Sequence, residues 1–174
     1  MSATIEYFLL SKLDRQPDFS NFNSGDPFLD NFAAKKLAKA DVKNDTRVYV
    51  ALDGDKVVGY ATMKVFMINN DECSILPSKY PRLVPVLMLE QIAVDKAYQG
   101  KGIGKRLMRE VMKATVLVNE LAATKGLALW AHPTAISFYK SLAFLKIPDG
   151  MKQVQDIELT LMFLHIDTIM DAYK

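Results

Sequence analysis

Along this chain the apolar positions change period several times, and each change marks an element. Ile5 to Leu10 is a short apolar run that predicts an opening strand. A turn-rich stretch to Gly25 leads to Asp26 and Pro27, a good N-cap and a residue pre-set for the first helical turn. Phe28, Leu29, Phe32, Ala33, Leu37 and Ala40 then recur at helical spacing and predict an amphipathic helix. Thr46 to Leu52 and Val57 to Ile68 are rich in β-branched and aromatic residues, and Asp53-Gly54-Asp55 between them predicts a β-hairpin. Asn69 to Pro85, with three prolines, reads as a loop. Val86 to Val94 predicts another strand, closed by Asp95. Past a glycine-rich turn, Ile103, Leu107, Val111, Ala114, Val118 and Leu121 form the inward stripe of a long helix that stops near Gly126. Leu127 to Ala131 reads as a strand, Thr134 to Leu142 as a short helix and Pro148-Asp149-Gly150 as a turn. Ile157, Leu159, Leu161 and Phe163 alternate with polar neighbours in a final strand. This order predicts an α/β fold, a mixed sheet with helices on both faces. No repeat or linker divides it, so 1–174 read as one domain.

Composition narrows the class. Half of the 174 residues are hydrophobic and 24% are charged, the balance of a globular protein that buries its own core. The net charge of +2 selects no partner by itself. With Cys73 as the sole cysteine, an internal disulfide and a thiolate-rich metal site are excluded, and a reducing, cytoplasmic setting is favoured. With only His132 and His165 as histidines, no zinc or other metal is expected. Met1 to Arg15 lacks the features of a signal peptide. The apolar run Leu83 to Leu89 is far short of the roughly 20 residues that span a membrane, so no membrane partner is expected.

The segment richest in chemistry is Gln99-Gly100-Lys101-Gly102-Ile103-Gly104, between a predicted strand and the long helix. Alternate glycines accept positive φ angles and let a ligand approach backbone N–H groups with no Cβ in the way. At a helix N-terminus those amides and the dipole favour an anion. The dipole contributes about 0.3–1 kcal/mol, so several amide hydrogen bonds must supply the rest. Lys101, Lys105 and Arg106 add positive charge. Spacing excludes two familiar phosphate loops. A P-loop needs glycine at 99 and serine or threonine at 106, where Gln99 and Arg106 stand. A dinucleotide fingerprint needs its third glycine three residues after the second, whereas Gly104 follows Gly102 by two. The glycines alone fit either an anion site or a plain tight turn.

Context separates these readings. Gln91-Ile92-Ala93-Val94-Asp95, then Tyr98 to Gly104, then a helix, resembles the acetyl-coenzyme A signature of the GNAT superfamily of N-acetyltransferases. Ala135-Ile136-Ser137-Phe138-Tyr139-Lys140-Ser141-Leu142-Ala143-Phe144 resembles its second signature, with Ala143 where a glycine is usual, so this helix is expected to end without a left-handed glycine cap. Phe22-Asn23-Ser24-Gly25 with Leu29-Asp30-Asn31-Phe32, Thr46-Arg47-Val48-Tyr49-Val50 and Val58-Gly59-Tyr60 are similar to bacterial GNAT toxins that acetylate the amino acid on aminoacyl-tRNA. The resemblance implies the GNAT fold with a mostly antiparallel sheet, acetyl-CoA as co-substrate, and direct transfer of acetyl to a primary amine. In it the amides of Gln99, Gly100, Lys101, Gly102, Ile103, Gly104 and Lys105 hold the diphosphate, and the backbone of Ile92, Ala93 and Val94 bonds the pantetheine arm. His132 stands at a polar cofactor contact, or is a turn residue before Pro133. Aminoacyl-tRNA and a cognate antitoxin are the implied partners; a homodimer is also compatible.

Within that resemblance Tyr139 is the residue for proton donation. A phenol of ordinary pKa near 10 can protonate a departing thiolate whose thiol has a pKa of about 8.5; without the resemblance, Tyr139 reads as a core tyrosine beside Phe138. Glu90, just before the matching strand segment, is either the acceptor of the amine proton or an edge carboxylate with no role. An α-amine near pKa 8 is partly neutral at pH 7 and needs a strong base less than a lysine amine near 10.4 does. Lys35, Lys36, Lys39, Lys43 and Arg47 suit RNA phosphates, or are a solvated helix face. Two further functions stay open: acetylation of a protein or small amine, and a catalytically silent module that binds acetyl-CoA or a partner protein.

Overall fold

The structure, a computed structural model, describes residues 4–70 and 80–173. The middle of the expected Asn69 to Pro85 loop, 71–79, lies outside the described residues, as does Cys73 within it. The chain divides into two compact units, Met1–Lys64 with Glu90–Val111 and Val65–Leu89 with Met112–Lys174.

In the first unit the strand order is β1 (Glu6–Leu9), β2 (Arg47–Asp53), β3 (Lys56–Asn69) and β4 (Leu83–Val94), of which β3 and β4 also run into the second unit. β1 pairs antiparallel with β2, and β2 with β3 through the expected tight hairpin at Gly54. Alternation along β3 sets the layers. Tyr60 points into a cluster with Val48 and Val50 of β2 and with Ala33 and Leu37 of the helices α1 (Pro27–Lys35) and α2 (Leu37–Val42). Gly59 points the other way, under the start of α3 (Ile103–Leu121). A Cβ there would sit 3.1 Å from Ile103 Cγ2 and 3.2 Å from Leu107 Cδ1, so glycine is what lets this helix approach the sheet. Helices thus cover both faces of this unit's sheet.

Asp26 caps α1 by accepting from the Phe28 amide at 2.9 Å, with Pro27 in the first turn, as expected. The single helix predicted through Ala40 is broken at Lys36, whose φ of −123° is not helical. No proline or glycine marks the break; Leu37 is fully buried just after it, so packing sets the bend. The stripe of α3 holds at Ile103, Leu107 and Val111, but beyond them fully buried Thr115 faces inward while Leu121 is 82% exposed.

In the second unit the order is β4, β5 (Gly126–Ala131), β7 (Ile157–His165) and β6 (Leu145–Val154). β4 and β5 are parallel over Leu87–Leu89 and Leu127–Leu129; β5 with β7 and β6 with β7 are antiparallel. The sheet is therefore mixed and mostly antiparallel. Pro148-Asp149-Gly150 is not a turn between elements but lies inside β6, where the register shifts between Lys146 and Met151. β6 is the last strand in the order, and an edge strand tolerates proline at such a bulge. The reversal comes later, at Gln155, φ 55°. Pro85 belongs to β4 rather than to the loop, and its carbonyl accepts from the Lys125 amide at 2.8 Å. A closing helix, α5 (Ile166–Ala172), is added to the expected elements. Among the described residues no helix is long and apolar enough to cross a membrane.

Candidate active site

β4 delivers the chain to the glycine turn. Lys64 and Tyr60 of β3 meet neighbours in sequence on β4. Lys64 Nζ lies 3.0 Å from Glu90 Oε2, and the Tyr60 hydroxyl lies 3.1 Å from Gln91 Oε1 while donating to the Leu29 carbonyl at 2.9 Å. Glu90 and Gln91, adjacent on β4, are both engaged by side chains of β3, and Ile92 to Val94 follow them. Glu90 is thus an exposed carboxylate positioned by Lys64. Burial, with Asp30 and Asp26 adding negative charge, pushes the Tyr60 phenol far above its ordinary pKa, so it acts here as a neutral hydrogen-bonding group.

The turn itself is built as the glycines require. Gly100 and Gly102 have φ of 77° and 83°, and a Cβ at either would meet nothing within 4 Å, so the space before them is open. The Arg106 amide donates to the Gly102 carbonyl at 3.0 Å, closing the first turn of α3. The amides of Ile103, Gly104 and Lys105 precede that bond and have no intrahelical acceptor, which is the arrangement that binds an anion. Lys101 Nζ stands 5.2 Å from the Tyr98 ring. Arg106 is drawn elsewhere, to Glu110 Oε1 at 3.0 Å and over the Tyr7 ring.

Behind the turn is a second loop for which the motifs in the sequence supply no role. Buried Asp95 accepts from the amides of Ala97 and Asn23, each at 3.0 Å, and the Lys96 amide donates to the Asn23 carbonyl at 2.8 Å. The Gln99 carboxamide donates to the carbonyls of Ser24 at 3.1 Å and Val94 at 2.9 Å. The signal for Asp95 was its place after a strand and before a turn, a capping position. For Asn23 and Ser24 there was none beyond the resemblance, because their partners are about 70 residues away in sequence.

Of the basic cluster, Lys35, Lys36, Lys39 and Lys43 are exposed on α1, α2 and the residues that flank them. Arg47 is committed elsewhere: its guanidinium pairs with the buried Asp41 carboxylate at 2.9 Å and donates to Asn44 Oδ1 at 2.8 Å.

The second unit holds the other two candidates. His132 is exposed and caps a short 3-10 turn, Pro133–Ala135, by accepting from the Thr134 amide at 3.2 Å through Nδ1. In its neutral form the ring then carries its proton on Nε2. Tyr139 is buried on α4 (Ile136–Ser141), its ring edge-on to Phe138 and Phe144 at 5.3 and 5.7 Å. Burial pushes its phenol up to about 12, so it is protonated throughout the neutral range. Ala143 stands where the second signature has glycine, and no left-handed glycine cap was expected there, yet the alanine takes the left-handed conformation itself, φ 73°. Its amide donates to Lys140 and that of Phe144 to the Tyr139 carbonyl, closing a complete left-handed cap beneath Tyr139.

Comparison with known proteins gives these features a family. Residues 44–145 match the acetyltransferase (GNAT) domain model. A tRNA-acetylating toxin of Mycobacterium tuberculosis is 30% identical over 129 residues, 73% of this chain and 78% of that protein. The fold is that of the toxin AtaT complexed with acetyl-methionyl-tRNAfMet, at TM-score 0.83 and 22% identity over 98% of this chain and all of that one. It is also that of a mutant AtaT toxin bound to the C-terminus of the antitoxin AtaR and acetyl-CoA, at TM-score 0.80 and 20% identity over 98% of each chain. The glycine turn, the strand that leads into it and the tyrosine-bearing helix are thus parts of one known scaffold, and this chain belongs to the GNAT family of acetyltransferases.

Proposed function

We propose that this protein transfers the acetyl group of acetyl-CoA to the amino acid carried on aminoacyl-tRNA, acting in the cytoplasm as the toxin of a toxin–antitoxin pair. The observation that carries the reading is the open left-handed turn at the head of α3 in a chain 30% identical to a tRNA-acetylating toxin. The amides from Gln99 to Lys105 hold the diphosphate. Backbone groups of Ile92 to Val94 bond the pantetheine arm, although one lone pair of the Val94 carbonyl is already taken by Gln99. His132 offers Nε2–H to the cofactor.

The acceptor nitrogen attacks the thioester carbonyl carbon, the C–S bond breaks, and the amine proton is lost to Glu90 or water. Tyr139 donates a hydrogen bond to the departing sulfur, which leaves as a thiolate and takes its proton from solvent, giving an amide and free coenzyme A with no covalent enzyme intermediate. With its phenol pushed up to about 12, full donation to a thiolate of ordinary basicity is uphill, so Tyr139 acts chiefly as a hydrogen-bond donor to the developing negative charge. Lys35, Lys36, Lys39 and Lys43 contact RNA phosphates.

Radiolabelled acetyl-CoA, the purified protein and either charged tRNA, a polyamine or a lysine peptide test this directly. Label is expected on the aminoacyl group alone. Label on the peptide or polyamine with none on tRNA would transfer the reading to a protein or small-amine acetyltransferase, and no label anywhere with retained acetyl-CoA binding would point to a silent module.

A further inference from the structure

The segment Phe22 to Gly25 has no part in the chemistry above, yet several hydrogen bonds tie it to the residues that lead into the diphosphate turn. Its Asn23 carbonyl receives the Lys96 amide, and its Asn23 amide is held by Asp95. Its Ser24 carbonyl receives one N–H of the Gln99 side chain, whose other N–H goes to Val94. Ser24 is in turn fixed to α1: its amide and hydroxyl both donate to Asp30 Oδ1, at 2.8 and 2.7 Å. A continuous path of hydrogen bonds therefore runs from the first turn of α1, through Ser24 and the Gln99 carboxamide, to the residue that opens the glycine turn.

We infer that the Gln99 side chain is a positioning residue for the donor: it holds the turn in its anion-binding shape and couples that shape to α1 through Ser24 and Asp30. The physical reason lies in the turn's composition. Gly100 and Gly102 have more accessible conformations than any other residue, so a free turn gives up entropy when it closes around a diphosphate. A clasp that restricts Gln99 at one end, while α3 restricts the other, removes part of that cost before the ligand arrives. Only a side chain with two N–H donors can bridge two carbonyls in this way. The inference rests on the diphosphate reading of the turn.

Equilibrium binding of coenzyme A, measured by calorimetry on the full chain, tests it together with circular dichroism of each variant. Gln99 is exposed, so its replacement leaves the fold intact. Gln99→Ala is expected to bind about five- to tenfold more weakly, the loss of roughly one net hydrogen bond's worth of preorganisation. Gln99→Arg, which also presents two N–H donors, is expected to recover most of the affinity, and Gln99→Glu, which has none, is not. The coupling to α1 makes its own claim. Asp30→Ala is expected to weaken coenzyme A binding although Asp30 lies on α1, and in the double variant with Gln99→Ala the two losses should be far from additive. Unchanged affinity in Gln99→Ala overturns the inference while leaving the diphosphate reading intact, and additive losses overturn the link to α1. A wild type that binds no coenzyme A overturns both the inference and the reading beneath it.

Discussion

At the scale of single residues, the proposed proton chemistry is tested at one phenol, and the helix that carries it is tested at the alanine that caps it. Tyr139→Phe keeps the ring packing against Phe138 and Phe144 and removes only the hydroxyl. Turnover is expected to fall by about 10² to 10⁴ with thermal stability essentially retained, as steady-state kinetics and a melting curve will show. The pH dependence follows from the direction of the shift. A phenol pushed up to about 12 does not ionise below about pH 11, so kcat/KM is expected to rise as the acceptor amine loses its proton near pH 8 and then stay level, with no descending limb from Tyr139. A descending limb between pH 9 and 10 that vanishes in Tyr139→Phe would contradict this. Ala143 sits at φ 73°, where a Cβ is strained and glycine is not. Ala143→Gly is therefore expected to stabilise the protein by about 1 kcal/mol, seen as a Tm higher by about 2–4 °C. Ala143's position after the helix was legible in the sequence. That alanine would accept the left-handed angle was not, because the bonds from Ala143 and Phe144 back to α4 impose it.

At the scale of elements, the basic groups on α2 and β2 separate. Asp41 is 3% exposed on α2 and its charge is met by Arg47 on β2. Removing Arg47 leaves a buried carboxylate without its cation. Because Arg47 itself is 37% exposed, Arg47→Met is expected to cost roughly 2 kcal/mol rather than the 3–5 of a fully buried pair, read from the urea midpoint. Charge reversal at Lys35, Lys36, Lys39 and Lys43 should do the opposite. Stability should change little, while RNA binding weakens and the slope of log K against log salt flattens by about 0.7–0.9 for each phosphate that is no longer neutralised. A slope that survives the reversal would remove these lysines from the RNA surface. Periodicity placed α1 and α2 on the right stretch of chain but joined them, since the break at Lys36 is set by where Leu37 must be buried.

At the scale of the whole molecule, two buried tyrosines contribute to the loss of stability at alkaline pH. The Tyr60 phenol is pushed far up, and that of Tyr139 to about 12, by burial. In the unfolded chain both ionise near 10. Below that pH both states are protonated and the full contribution is present. As pH climbs from 10 through 12, the unfolded state loses protons that the folded state keeps, and stability falls by up to about 1.4 kcal/mol per pH unit per group. Urea midpoints should therefore be flat with respect to these groups from pH 7 to 9 and drop steeply above 10, with Tyr139→Phe removing about one group's share of the drop.

The sequence by itself determined the elements whose signals are local. Asp26-Pro27 opened a helix, Asp53-Gly54-Asp55 turned a hairpin, and glycines at 100 and 102 marked a left-handed turn before an amphipathic helix. Each is a backbone preference of the residues concerned, which distant contacts did not need to supply. Tertiary structure alone decided the rest, because those features arise between residues far apart in the chain. The edge position of β6 let Pro148 and Gly150 remain in a strand; the Lys64 ion pair positioned Glu90; Asp41 gave Arg47 a buried partner within the fold. The same holds for the turn itself. Its glycines permit many shapes, and the one observed is selected by Asn23, Ser24 and Asp95, through bonds that no spacing along the chain foretells.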